Sequence, residues 1–189
     1  MSTKFFTNIN TNTLFEKFKG IFENTNVFYF DALVGFFRSS GYFRIQPYLK
    51  NVEKIRILVG IDVDELMSEA AQKGLEFKFN EDVTKEEFIE KIKEDIQEAD
   101  YKQDVENGII QFIEDIVNER LIIKAHPSKD LHSKIYIFRP ENFNSHNSGS
   151  VITGSSNLSE AGLEKNFEFN VELRDFDDVA FALNTFEDL

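Results

Sequence analysis

His132 and Lys134 stand two positions apart in HSKIYIF, at the head of a run that is otherwise aromatic and β-branched. An extended chain turns alternate side chains to opposite faces, so the imidazole and the ammonium share one side while Ser133, Ile135 and Ile137 share the other. Farther along, VITGSSN leads an apolar run into Gly154, Ser155, Ser156 and Asn157, a small-residue loop whose N–H groups, hydroxyls and amide can ring an anion. Glu168, eleven positions past Asn157, lies in NFEFNVEL. There Asn166, Glu168, Asn170 and Glu172 share one face, and Phe167, Phe169, Val171 and Leu173 share the other.

Brought together, these groups suit a phosphate. Lys134 supplies charge, and Ser155 and Asn157 donate hydrogen bonds. Glu168 can accept from one nitrogen of His132, leaving the other free to attack phosphorus. Singly, each fragment is commonplace: HxK at a strand edge, GSSN as a turn, Glu168 as a solvent-facing strand residue. The ordered combination carries the reading.

The elements that must position these residues follow from apolar spacing. Residues 14–22 (LFEKFKGIF) have helical periodicity, and the nearly continuous apolar run 27–37 (VFYFDALVGFF) reads as a strand covered on both faces. RSSG breaks that pattern, as a strand-to-helix turn or as a helix-start anion site built from Arg38, Ser39, Ser40 and Gly41. Residues 42–49 carry a helical pattern opposed by Pro47. Residues 55–61 read as a second buried strand. VDELMSEAAQKG reads as a helix closed by Gly74. Thr84 with Glu87 forms a capping box before Phe88, Ile92 and Ile96 at helical spacing. A helix over 104–120 carries Ile109, Phe112, Ile113 and Ile116. Short strands follow at 121–125, 135–138, 150–153 and 167–173, and a last helix starts near Asp177. The order points to an α/β sandwich with a mixed sheet.

A chain of 189 residues, 41% hydrophobic, closes one sizeable core, so 1–189 reads as a single domain. Without cysteine, a reducing cytoplasmic setting is the expectation. No run approaches the roughly 20 apolar residues of a membrane span, and MSTKFFTNIN lacks the order of a secretion signal. A net charge of −13 argues against a broad nucleic-acid-binding surface. Against that trend, 38–56 carries Arg38, Arg44, Lys50, Lys54 and Arg56 beside a single Glu53, a possible local basic patch.

HSKIYIF, GSVITGSSNLSEAGL and NFEFNVEL together resemble the single-motif catalytic half of the phospholipase D superfamily, whose pattern is HxK followed by GSxN. FDALVGFFRSSGYF and KIRILVGIDVDE further resemble the phospholipase D-like domain at the N-terminus of bacterial Swi/Snf-type helicases. The likeness runs from about residue 27 to 183. It implies an α-β-α sandwich with a mixed, largely parallel central sheet. By the same resemblance His132 is the nucleophile that forms a phosphohistidine, Lys134, Ser155 and Asn157 hold phosphoryl oxygens, and Glu168 orients the imidazole. Arg38 and Ser156 are accessory candidates. No cofactor and no metal are expected, in keeping with zero cysteines and three histidines (His126, His132, His146) without ligand spacing. The chain departs from the pattern in two places: Arg139 stands where the family often has Asp, and 139–149 is a long polar insertion.

In-line displacement at phosphorus needs a nucleophile on one side and a proton donor on the other. With one HxK, the economical solution is a symmetric homodimer that brings two copies of His132 together. The leading expectation is therefore a metal-independent phosphodiesterase acting on DNA. The resemblance, with a last helix still running at Leu189, implies a longer protein carrying a C-terminal helicase domain. The competing reading is a non-catalytic nucleic-acid-binding or dimerisation module. Phospholipid hydrolysis comes third, because no helix shows the basic face of an interfacial anchor.

Overall fold

The computed structural model describes residues 4–63, 72, 103–126 and 131–189. The helix expected to end at Gly74 and the capping-box helix of Thr84 and Glu87 lie outside them.

Thr13 opens helix α1 (Leu14–Asn24) by accepting the Glu16 N–H at 3.1 Å, which satisfies one of the free donors of the first turn. Its buried stripe is Leu14, Phe15, Phe18, Ile21 and Phe22. Phe18 meets Phe22, Phe30, Tyr136 and Phe138 edge-on, with ring centroids between 4.9 and 6.2 Å. Edge-to-face packing of this kind adds to the burial of apolar area and fixes relative orientation. In this way α1 clamps the strand that leads out of HSK.

Among the described residues the strands form one seven-stranded sheet in the order β1-β7-β6-β5-β2-β3-β4. They are β1 (Phe5–Thr7), β2 (Tyr29–Phe37), β3 (Lys54–Val63), β4 (Leu121–Ala125), β5 (Ile135–Arg139), β6 (Ser150–Gly154) and β7 (Phe169–Leu173). The β2–β3 and β3–β4 pairs are parallel; β1–β7, β2–β5, β5–β6 and β6–β7 are antiparallel. The α/β fold and its mixed sheet agree with the expectation, but the sheet is mostly antiparallel rather than largely parallel. One cause is the loop 140–149 between β5 and β6, shorter than the dozen or so residues a parallel crossover takes.

Alternation along the strands divides the core in two. Phe30, Ala32, Val34, Ile55, Ile57, Tyr136, Phe138 and Ile152 face α1, α2 (Ser39–Ile45) and α3 (Gln103–Val117). On the other face Leu33, Leu58, Ile137 and Val151 pack under Val179, Ala182 and Phe186 of α4 (Phe176–Glu187). The helical pattern over 42–49 resolves into α2 and a 3-10 turn, Gln46–Asn51, with Pro47 in its first turn where a missing N–H costs nothing. Among the described residues no helix is long and apolar enough to cross a membrane.

Candidate active site

Three adjacent strands carry the three fragments to one end of the sheet. Ile135 pairs with Thr153, and Gly154 pairs with Asn170. Continuing those antiparallel registers sets Lys134 opposite Gly154 and Glu168 opposite Ser156. The Thr153 hydroxyl reinforces the first register by donating to the Lys134 carbonyl at 2.9 Å.

Strand β5 begins at Ile135, so His132, Ser133 and Lys134 form an extended lead-in rather than strand. Gly60 of β3 sets that lead-in: a Cβ there would lie 2.4 Å from both the Cβ and the carbonyl oxygen of Leu131, so only glycine admits this approach. His132 is exposed, and its imidazole makes no hydrogen bond to another described residue. The half-buried Lys134 turns back so that its ammonium donates to the His132 carbonyl at 2.5 Å. A charged donor thus sits against the backbone of the candidate nucleophile with two further protons to offer.

In the GSSN loop the side chains alternate out and in. Ser155 is exposed; its Oγ accepts the Phe169 N–H at 3.1 Å and donates in a short bond to Glu168. Ser156 is 0% exposed. Asn157 uses Oδ1 to accept the Phe36 N–H at 3.2 Å, and its NH2 has no partner among the described residues. That Phe36 N–H lies where the β2–β3 register shifts, between Val34 and Phe36. Behind the loop, a Cβ on Gly162 would lie 2.4 Å from the Asn157 carbonyl oxygen. Gly162 belongs to a π-helical turn, Ala161–Lys165, a form that gathers at functional sites.

His132, Lys134, Ser155, Asn157 and Glu168 therefore occupy one sheet end, but two expected contacts differ. Glu168 does not bond His132: its oxygens take the Ser155 hydroxyl and, at 3.4 Å, the Asn166 amide. Ser156, the accessory candidate, turns its hydroxyl inward, where it accepts from Asn170 at 3.0 Å. Arg38 lies beside the loop, its N–H donating to the Leu158 carbonyl at 3.0 Å and its guanidinium 5.5 Å from the Phe36 ring. Residues 38–41 carry the chain from β2 into α2, with Arg38 at its N-cap; Ser40 Oγ accepts the Glu160 N–H, and Gly41 packs against Leu158 and Ser159.

The basic patch over 38–56 disperses. Arg44 pairs with Glu164 at 2.8 Å over the Phe15 ring, Lys54 donates to the Glu119 carbonyl, and Arg56 pairs with Asp31 at 2.6 Å and Glu187 at 2.7 Å. Burial disfavours the Arg56 charge, but those two carboxylates more than reverse this and hold its pKa above the ordinary arginine value. Arg139 and the insertion lie at the other end of β5 from His132, so the departure from Asp falls outside the site.

Sequence reasoning missed Tyr136 and Asn170. Tyr136 is buried beneath the loop and donates to the Ser156 carbonyl at 2.9 Å. Burial first, and the Glu168 carboxylate second, push its phenol pKa well above the ordinary value, so it stays a neutral donor. Period-two spacing was the available signal: Tyr136 follows Lys134 by two, and Asn170 follows Glu168 by two. Two cavities, of about 840 Å3 beside Tyr48 and Asp115 and about 330 Å3 beside His146 and Glu172, lie elsewhere.

Residues 53–189 match the family described as cardiolipin synthase, phospholipase D-like domain. Among solved structures the chain is similar to NucT from Helicobacter pylori, at 12% identity and a TM-score of 0.45, over 93% of this chain and 86% of that one. No curated protein matches.

Proposed function

The chain belongs to the phospholipase D-like domain family of cardiolipin synthase type, and on that premise we propose that it is a metal-independent phosphodiesterase, acting on DNA through a phosphohistidine on His132. The matched span contains every residue this chemistry uses. One observation carries the reading: the His132 imidazole is exposed and unbonded among the described residues, with the Lys134 ammonium on its own carbonyl. A nucleophile held by its backbone and left free at its ring is ready for attack.

In the reaction, a neutral His132 nitrogen attacks phosphorus, forming a P–N bond as the opposite P–O ester bond breaks. The departing oxygen takes a proton. Water then attacks the phosphohistidine and gives up its proton to the base left by the first step, restoring His132. Lys134, Ser155 and the Asn157 NH2 hold the non-bridging oxygens where charge develops. An anion that takes the Ser155 hydroxyl frees Glu168 to turn to His132.

One imidazole cannot stand on both sides of phosphorus, and a symmetric homodimer supplies the second as the partner's His132. From an unperturbed pKa of about 6.5, two histidines can divide into one neutral and one protonated. An apolar face beside the site suits such pairing: Phe5, Phe167 and Phe169 are 56%, 75% and 57% exposed, and Phe167 and Phe169 flank Glu168. DNA is preferred as substrate from the likeness to helicase-associated domains, and a helicase domain in the same polypeptide would deliver it to this acidic body.

The test is cleavage of linear and supercoiled DNA in EDTA beside His132→Ala. Activity that persists in chelator and vanishes in the variant supports the proposal; chelator-sensitive activity refutes the metal-free mechanism. The net charge of −13 favours a second reading, a non-catalytic module attached to a helicase. DNA binding without cleavage, unchanged in the variant, would establish that instead.

A further inference from the structure

Beneath the loop that carries Ser155 and Asn157 runs a buried polar chain that the reaction does not touch. Tyr136 donates its hydroxyl to the Ser156 carbonyl at 2.9 Å, and Asn170 Nδ2 donates to the Ser156 hydroxyl at 3.0 Å. The three are 1%, 0% and 1% exposed for Tyr136, Ser156 and Asn170. Asn170 Oδ1 is buried with no partner among the described residues, an expense that an apolar side chain would avoid. Its space exists because Gly154 has no side chain: a Cβ there would lie 2.4 Å from Asn170 Oδ1. Neighbouring inward positions on β5 and β6, Phe138 and Ile152, are apolar, so polarity gathers under the loop.

We propose that Tyr136, Ser156 and Asn170 are positioning residues that set the pose of the two phosphate donors on either side of Ser156. The inference rests on the reading of this loop as a phosphate site. Three consecutive side chains in an extended loop alternate, so pinning the middle one inward turns both neighbours outward. Ser155 and Asn157 are those neighbours. Tyr136 adds a second constraint, because it lies on β5 two residues beyond Lys134 and ties the loop to the strand that the ammonium-bearing lead-in enters. Together with the Thr153 bond to the Lys134 carbonyl, it fixes the separation between the HxK segment and the loop. Donors held in place before the transition state act on kcat more than on KM.

The experiment compares Tyr136→Phe, Asn170→Ala and their combination with wild-type protein. Its readouts are kcat, KM, Tm and affinity for tungstate, a phosphate mimic. Each single change is expected to lower kcat about tenfold with KM within about twofold. The double variant is expected to fall short of the product of the two losses, because both act on Ser156. Tyr136→Phe keeps the ring and its packing, so it decides the matter if Asn170→Ala does not fold. Variants with wild-type kcat and tungstate affinity but a lower Tm would overturn the inference and leave the phosphate site standing. Wild-type protein that neither cleaves nor binds tungstate would overturn the reading of the site, and this inference with it.

Discussion

Arg139 reaches across from β5 to Asp31 of β2, its Nη2 2.9 Å from Oδ2, and both side chains are buried. Asp31 also takes Arg56 on its other oxygen at 2.6 Å, so one carboxylate holds two guanidiniums on the α4 side of the sheet. The Arg139 guanidinium lies 4.6 Å from the Tyr29 ring. A position where the family often has Asp is thus an Arg whose carboxylate comes from the neighbouring strand. Replacing Asp31 with Ala leaves the buried Arg139 without its carboxylate and Arg56 with Glu187 alone, and should cost about 3–5 kcal/mol, whereas Arg139→Met leaves Asp31 with Arg56 and should cost less. Urea unfolding orders the two variants; the reverse order would refute this account of the network.

Phe167→Lys and Phe169→Lys test the proposed pairing face. Both side chains are more than half exposed and Phe169 stacks on Phe5 at 5.7 Å, so folding should survive while association fails. Sedimentation should show monomers, and cleavage should drop with the dimer fraction. Full activity in a monomer would sink the composite site.

Two tyrosines should resist titration. Burial, with Asp115 second, pushes the Tyr42 phenol up, and burial with Glu168 does the same to Tyr136. Both folded values exceed the ordinary one of about 10, so the native state holds its protons longer. The stability they contribute is complete below about pH 10 and is lost as pH rises through the folded values. Phenolate absorbance from Tyr42 and Tyr136 should appear only cooperatively, with unfolding. A single smooth titration of all five Tyr would contradict this.

Two glycines should answer oppositely to alanine. Gly20 lies inside α1 with nothing within 4 Å of a new Cβ, so Gly20→Ala should stabilise by about 0.5–1 kcal/mol. Gly60→Ala forces Leu131 away and with it the His132 lead-in, so activity should fall further than thermal stability. Equal Tm shifts of the same sign would be incompatible with this packing.

Much of the fold was legible because apolar spacing reports which residues share a face. The strand at 121–125 is observed with those bounds, and α1 and α4 begin within a residue of the starts expected for them. Shorter or flanked elements were not: β1 is three residues long, too brief for any period to register. In the site, the HxK, GSxN and Glu order named the residues that meet at one end of the sheet. It did not reveal that Ser156 turns inward or that Glu168 takes Ser155, since both depend on what lies beneath the loop.

By itself the sequence determined the alternation along NFEFNVEL and the identity of the groups around His132. Only the tertiary structure decided which face of that strand is covered. Asn170 and Glu172 are buried while Phe167 and Phe169 stay exposed, because α4 packs over β5 and β6 and leaves the β1–β7 edge bare on its side. A period is a local property of the chain, fixed by backbone geometry; cover is a property of where distant elements come to rest.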